Sequence, residues 1–374
     1  MTKSCDVEVR GAGVVGCCLA LSLARLGLSV RLRGAAPSDH PPGDDVRAFA
    51  LNAASVALLR GLKVWDGLPA DAATAVREMA IHGDDADALL EFSAWQQRIG
   101  ELAWIVDAAA LESALANAVR FAPHIERIDG KAEPSHDAPP RLTALCEGQS
   151  SASRDELGIT LDRRPYGHRA IAARLQGEQP HQGRARQWFR APDVLALLPF
   201  DRPMPGSSWA LVWSMPDAQA DELLALDDRV FSARLSDAVG EPLQLASPRA
   251  SWPLARARAE AWCGPGWVLL GDAAHVVHPL AGQGLNLGLA DVATLSRVIA
   301  TREPWRGIGE PRLLRRFERE RAAPTWAMTQ VTDGLLHLFA HPDPLVRMLR
   351  NRGLGLVNRA GSVKRWLAGQ ALDS

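Results

Sequence analysis

The sequence predicts an α/β protein in which a doubly wound nucleotide-binding domain is interleaved with an antiparallel-sheet domain and followed by C-terminal helices. Three observations carry this expectation. A glycine-rich turn, Gly11-Ala12-Gly13-Val14-Val15-Gly16, joins a strand-like run to a helix-like one. A second strand-to-helix stretch lies far downstream, reading GDAAHVVHPLAGQGLNLGLADVATL from Gly271 to Leu295. Between them, short apolar runs are broken by proline, glycine and charge, as in an antiparallel sheet.

Composition sets the limits. The chain has 374 residues, enough for two domains with a large buried core. Apolar residues make up 47% and charged residues 23%, which marks a globular chain. A net charge of −1, with both signs spread throughout, gives no field that would recruit nucleic acid. The five cysteines, Cys5, Cys17, Cys18, Cys146 and Cys263, include no CxxC, which argues against a disulfide framework and for a reducing, cytoplasmic setting. The charge-free stretch from Gly11 to Ala24 follows Asp6, Glu8 and Arg10 and is too short to span a bilayer, so neither a signal peptide nor a transmembrane helix is expected.

The elements follow in order. CDVEVR (5–10) alternates like a strand, CCLALSLARLG reads as a glycine-terminated helix, and LSVRLR as a second strand. Gly11, Gly13 and Gly16 therefore form G-x-G-x-x-G at a strand-to-helix junction. The first glycine permits the tight turn, the second lets a pyrophosphate approach the backbone, and the third brings helix and strand together beneath the positive helix end. An acid is expected at the end of the second strand for the ribose hydroxyls, but the chain there reads Val30-Arg31-Leu32-Arg33-Gly34. Residues 77–97, with Asp84, Asp85 and Asp87, read as an excursion out of the nucleotide domain. WIVDAAALESALANAV reads as a helix capped by Asp107. Residues 129–141 form a polar, proline-rich loop, and RAIAARL, VLALLPF and SWALVWSM are strand-like.

In the downstream stretch, WVLLGDAAH reads as a buried strand running into a turn, with a helix beginning just after Gln283. Asp272 then lies where a parallel strand ends, so its carboxylate can accept a hydrogen bond from a polyol hydroxyl. The Gly282-Gln283-Gly284 backbone, entering a helix N-terminus, offers N–H groups to an anionic or carbonyl oxygen.

Gly271-Asp272-Ala273-Ala274-His275, Pro279, Gly282-Gln283-Gly284-Leu285-Asn286-Leu287-Gly288 and Asp291 resemble the GD motif of the class A flavin monooxygenases, the para-hydroxybenzoate hydroxylase fold. Within that group the chain is similar to the ubiquinone-biosynthesis aromatic hydroxylases. The likeness runs through Asp44–Leu68, YGHRAIAARL, ALLPF and the C-terminal LFAHPDPLVRMLRNRGLGLVNRAGSVKRWL, and so covers nearly the whole chain. It implies a Rossmann-like FAD-binding domain over 1–75, 102–165 and 264–325, a substrate domain over 76–101 and 166–263, and a helical tail over 326–374.

The resemblance further implies FAD, NAD(P)H as reductant, dioxygen, and hydroxylation of a polyprenylated phenol through a flavin hydroperoxide. Most of the difficult chemistry then belongs to the cofactor. Arg47 would take the place of an arginine that touches the flavin. Backbone donors near Leu285 and Asn286 would stabilise charge on the flavin's pyrimidine end. Pro279 would shape the ring face, and His275 would line the pocket. The chain departs from the family pattern in three ways: Gly34 replaces the ribose acid, the middle aspartate-glycine motif appears as Glu147-Gly148 with Arg154, and the segment from Val106 to Glu147 is short. These departures bear on how tightly flavin is held, with Gly34→Glu and Glu147→Asp as the restoring changes.

Other readings compete locally. His275 and His278 form HxxH and His337 and His341 are four apart, but neither pair has the further ligand a zinc site needs, so no metal is expected. The tail from Pro344 to Leu372 carries six basic residues and no acid up to Ala371, which suits a peripheral contact with the inner face of a membrane as well as a solvated helix face. The tryptophans read as core and interface residues. Two alternatives to the hydroxylase stand at this point: a non-catalytic, flavin-poor relative acting as a scaffold in a quinone-biosynthesis assembly, and a flavin-dependent halogenase or prenyl reductase.

Overall fold

Val7 and Val9 are fully buried while Glu8 and Arg10 take the opposite face of the same strand, and this alternation seeds the first sheet. A computed structural model of the chain describes residues 5–35, 45–83, 88–128, 138–277 and 283–340. The chain opens with β1 (Val7–Arg10), α1 (Val14–Arg25) and β2 (Val30–Arg33), followed by β3 (Ala48–Leu51), α2 (Ala53–Gly61) and β4 (Ala73–Val76). Then come β5 (Glu78–His82), β6 (Leu89–Ser93), α3 (Ala94–Gln97), β7 (Ala103–Asp107), α4 (Ala108–Arg120), β8 (Ile125–Ile128), β9 (Leu142–Leu145) and α5 (Ala152–Glu156). The middle of the chain supplies β10 (Leu161–Gly177), β11 (Arg184–Arg190), β12 (Asp193–Phe200), β13 (Ser208–Pro216), α6 (Asp217–Ala225), α7 (Asp228–Val239), β14 (Leu243–Leu245) and β15 (Ala250–Ala259). The last described elements are β16 (Cys263–Gly264), β17 (Trp267–Leu269), β18 (His275–Val276), α8 (Gln283–Ala300) and α9 (Pro311–Ala340).

Three sheets result. The first has the order β16-β17-β9-β1-β2-β8, parallel throughout except for the β16–β17 hairpin at its edge. Helix α1 packs against β1, β2, α4 and α8, which explains why ten of its twelve residues are buried. A small antiparallel sheet, β3-β7-β4, lies beside it. The third sheet runs β18-β15-β10-β13-β12-β11-β5-β6, with β14 on β10. It is antiparallel apart from the parallel pair β5–β11.

The sheet reading of residues 166–252 omitted two helices. In α7, Asp227 Oδ1 caps the Val230 N–H at 2.9 Å and Gly240 ends the helix at φ +83°, while Phe231 and Leu235 bury one face against Trp213 and its neighbours. Those start and stop signals were present in the sequence. In WIVDAAALESALANAV, Asp107 does cap the helix, at 2.8 Å from Ala110 N, but Trp104 to Asp107 are strand residues paired with β3 and β4. The tail boundary at 325/326 falls inside α9, a single helix that contains Pro324, because an interior proline removes one N–H without obliging the helix to end.

Side chains tie the sheets together. Arg174 on β10 donates to the Arg47 carbonyl at 2.5 Å and to Asp107 at 3.4 Å, with its guanidinium 3.8 Å from the Phe200 ring centroid. Burial lowers its pKa to about 10, so it remains a cation at neutral pH. Asp333 of α9 accepts hydrogen bonds from Tyr166 and Arg256 and so latches that helix to β10 and β15.

Candidate flavin site

The three fingerprint glycines have different physical reasons. Gly11 has φ +104°, and a Cβ there would lie 2.2 Å from the Cys146 carbonyl oxygen, so β1 and the chain after β9 meet backbone to backbone. A Cβ on Gly16 would lie 1.8 Å from the Gly11 carbonyl oxygen, which makes it the close-packing glycine of α1. Gly13 is different: a Cβ there would meet nothing within 4 Å. Gly13 is also the N-cap of α1, makes no side-chain cap, and is followed by no acid in the first turn. The helix therefore presents an uncapped positive end to open space, which fits a pyrophosphate.

A second helix end lies close by. A Cβ on Gly288 of α8 would lie 2.8 Å from Val15 Cγ2 of α1 and 3.4 Å from the Gly271 Cα, so both helices and the GD turn touch through glycine surfaces. A Cβ on Gly284, in the first turn of α8, would also meet nothing within 4 Å among the described residues, and that turn carries no acid. Backbone N–H groups of Gly284 and Leu285 are thus placed at a helix N-terminus. The Asn286 side chain is already engaged: its Oδ1 accepts from Asn52 N at 3.1 Å and Ser55 Oγ at 2.7 Å, and its Nδ2 donates to the Ala50 carbonyl at 2.9 Å. Asn286 fastens α8 to β3 and α2 and leaves only its backbone for a ligand.

Asp272 sits in the short 3-10 turn Gly271–Ala273 after β17, with Gln149 Nε2 3.4 Å from its Oδ2. Desolvation raises its carboxyl pKa, partly opposed by Gln149 and His275. The segment after β9 closes on the same turn. Arg154 is buried and donates to the Ala273 carbonyl at 3.3 Å and to the Gln149 carbonyl at 3.2 Å. Glu147 folds back on α5, accepting Ser151 Oγ at 2.6 Å, Ser153 Oγ at 3.0 Å and Ser153 N at 3.2 Å. The extra methylene of Glu147 is what lets it reach this cap.

The structure shows how His275 and Gly34 are packed. His275 is 3% exposed, and its Nε2 lies 2.7 Å from Asp291 Oδ2 with its ring 4.9 Å from that of Trp262. A buried carboxylate requires partners, and His275 is one of them. The small cavity that it borders, about 200 Å³, is lined from α9, β10 and β15 and includes neither fingerprint nor α8 residues. Gly34 is packed closely as well. A Cβ there would lie 2.6 Å from Ala12 N and 2.8 Å from Ala12 Cβ, so the ribose acid is missing because β2 packs directly onto the fingerprint loop.

Arg47 is held by Asp45 at 2.6 Å and Glu112 at 3.0 Å and stays 39% exposed. Pro279, Gly282, His278, His341 and the basic tail lie outside the described residues. Sequence reasoning missed Arg321, Gln149 and Arg174, which belong to no motif.

A helix end without a side-chain cap behind a glycine fingerprint, the first turn of α8 nearby and a carboxylate at the end of β17 suit a dinucleotide-binding flavoprotein. A family model described as "FAD binding domain" matches residues 126–332, more than half the chain, and the chain belongs to that family of FAD-dependent hydroxylases. It is similar to the ubiquinone hydroxylase UbiL of Rhodospirillum rubrum, at 30% identity over 100% of this chain and 90% of the relative. It is also similar to the 3-demethoxyubiquinol 3-hydroxylase of Escherichia coli, at 31% identity over 96% of each. The solved p-nitrophenol 4-monooxygenase PnpA of Pseudomonas putida shares the fold, with TM-score 0.78 and 17% identity over 100% of this chain and 99% of that one. FAD is the cofactor, and NAD(P)H is the reductant typical of the family.

Proposed function

We propose that this flavoprotein hydroxylates the ring of a polyprenylated phenol on the way to ubiquinone, using NAD(P)H and dioxygen. The observation that supports the assignment most is the packing of α1, α8 and the GD turn on one another through Val15, Gly288 and Gly271, with Gly13 and Gly284 meeting none of the described residues and Asp272 in that same turn. The names of the curated relatives supply the substrate class.

Bound FAD supplies the redox and oxygen chemistry, and the chain supplies its placement. The α1 N-terminus at Gly13 takes the pyrophosphate. Asp272 accepts hydrogen bonds from the ribityl hydroxyls. Gly284 and Leu285 would offer backbone N–H groups from the α8 N-terminus to the electron-poor ring and would stabilise negative charge there as an oxyanion hole does. Arg47, steadied by Asp45 and Glu112, would supply a cation to the same site. Gly11 and Gly16 act by letting the fingerprint loop close, and Pro279 and Gly282 are kept in the proposal as cofactor-contacting residues on the resemblance of their motif.

The division into an FAD-binding and a substrate domain is part of the same proposal, supported by the separation of the parallel sheet from the sheet around β10. Among the described residues no helix is long and apolar enough to cross a membrane. The basic tail supports a peripheral contact through which a prenylated substrate would arrive, or a place in a quinone-biosynthesis complex.

The test starts with the visible spectrum of purified protein before and after incubation with FAD and desalting. Retained flavin bands, followed by NAD(P)H oxidation coupled to hydroxylation of a polyprenyl phenol, are the expected result. A protein that refuses added FAD refutes it, as does one that holds FAD but consumes no NAD(P)H whichever quinone precursor is supplied.

A further inference from the structure

Beneath the GD turn lies a buried ionic cluster that belongs to neither the fingerprint nor the helix ends. Asp291, on α8, has 0% exposure. Its Oδ2 accepts the Gly271 N–H at 2.9 Å and lies 2.7 Å from His275 Nε2, and its Oδ1 accepts Arg321 Nε of α9 at 2.7 Å. Arg321, itself 7% exposed, also donates to the Leu287 carbonyl of α8 at 3.2 Å. One carboxylate thus gathers donors from the GD turn, β18 and α9.

We propose that Asp291, braced by Arg321 and His275, is a positioning residue that sets where the Gly271–Asp272 turn sits relative to α8 and hence where Asp272 and the α8 N-terminus meet the cofactor. This rests on the flavin-site reading above and goes beyond it by assigning the geometry of that site to a residue that does not touch the cofactor. The packing makes such an anchor necessary. Gly271, at φ +59°, and Gly288 meet with no side chain between them, and Val15 closes the third side. Contacts between glycine surfaces exclude overlap but do not fix direction, whereas a hydrogen bond from the Gly271 N–H does.

The chemistry singles out one substitution. Asp291→Asn keeps the volume but offers one acceptor oxygen where the carboxylate offers two. If that oxygen stays with Arg321, the amide NH₂ faces the Gly271 N–H, a donor that cannot change roles, and the turn is released. If it turns toward Gly271, the NH₂ faces the guanidinium. In either case one fixed donor loses its acceptor.

The experiment titrates FAD into apo-protein of wild type and Asp291→Asn, followed by flavin fluorescence, with the absorption bands of the bound flavin and the melting temperature of each apo-protein recorded in parallel. Release of one charge-assisted hydrogen bond under the turn is expected to raise the FAD Kd about 10- to 100-fold and to alter the bound-flavin bands. A Kd within about twofold of wild type, with only the melting temperature lowered, gives Asp291 a purely structural role and overturns the proposal. If Asp291→Asn does not fold, Arg321→Lys keeps the charge and removes the forked contact to Leu287; a smaller rise in Kd is expected, and an unchanged Kd overturns it. A wild-type protein that takes up no FAD refutes the flavin-site reading itself, which keeps the two failures distinct.

Discussion

Gly34 offers the sharpest test of how the nucleotide end is built. Restoring the family acid there would tighten flavin binding if the missing carboxylate were the whole deficit. The packing says otherwise. The first carbon of any side chain at this position would lie 2.6 Å from Ala12 N, 2.8 Å from Ala12 Cβ and 3.3 Å from Ala12 Cα. Two of those atoms are backbone, and the loop that carries them is tied down by the Gly11 N–H on the Arg33 carbonyl at 2.8 Å and by Cys17 Sγ on the Ala12 carbonyl at 3.2 Å. Overpacking of this kind costs about 1–3 kcal/mol, against about 0.4–1 kcal/mol gained from a stiffer unfolded chain. Gly34→Ala should therefore lose about 1–2 kcal/mol, seen as an apo-protein melting about 1–3 °C lower. Because the displaced atoms adjoin Gly13, Gly34→Glu should bind FAD about tenfold or more weakly than wild type, the worth of one charge-assisted hydrogen bond. Thermal melts and FAD titration of both variants decide the matter. An alanine variant at least as stable as wild type, together with a glutamate variant of higher FAD affinity, would refute the reasoning.

Three further outcomes are expected. Glu147→Asp shortens the carboxylate that bridges Ser151 and Ser153, so the cap of α5 should weaken by about 1 kcal/mol, read as a lower urea midpoint at unchanged slope. His82 stacks on Trp188 at 5.3 Å, and desolvation with Arg186, Arg190 and Arg184 holds its pKa below the ordinary 6.5. The unfolded chain then binds the proton more readily, so this contribution is fully present above pH 6.5 and is lost as pH falls through the folded pKa; His82→Phe should flatten the melting profile over that window. Tyr166→Phe removes one of the two donors that Asp333 accepts and leaves the contact from Arg256, and a loss of about 1 kcal/mol with faster proteolytic cleavage near α9 is expected.

The parallel sheet was legible because its signals are local: alternation in CDVEVR, the glycine turn, and the buried run WVLL each lie within a few residues. The Asp107 cap was legible for the same reason. The strand character of Trp104–Asp107 was not, because those residues become a strand only through β3 and β4, and β4 ends nearly thirty residues before β7 begins. Helices α6 and α7 had readable caps but sat among strand-like runs that drew the whole region into one assignment. At the site, the residue types were legible and their engagements were not. His275 and Asp272 look equally available in GDAAH, and only Asp291, sixteen residues beyond His275, decides that the histidine faces inward. Arg321 carried no signal at all, since its meaning depends on the side of α8 against which α9 packs.

A common pattern underlies these engagements. Besides Asp272 and Arg47, the motifs single out Glu147, Arg154, Asn286 and His275, and each of these four is spent on the protein itself: on an α5 cap, the Ala273 carbonyl, β3 and α2, and Asp291. What they hold in place is backbone, namely the fingerprint loop, the GD turn and the first turn of α8. A cofactor gripped mainly by N–H groups cannot lose its contacts through substitution of the contacting residues, only through displacement of the chain that carries them. Such a site would tolerate the absence of a carboxylate at Gly34, because under the proposed placement α1 would hold the pyrophosphate end whatever occupies the ribose end. Its sensitivity moves instead to residues remote from the ligand, where a lost hydrogen bond tilts a turn, and Asp291 and Arg154 should therefore matter more to flavin affinity than their distance from any ligand atom suggests.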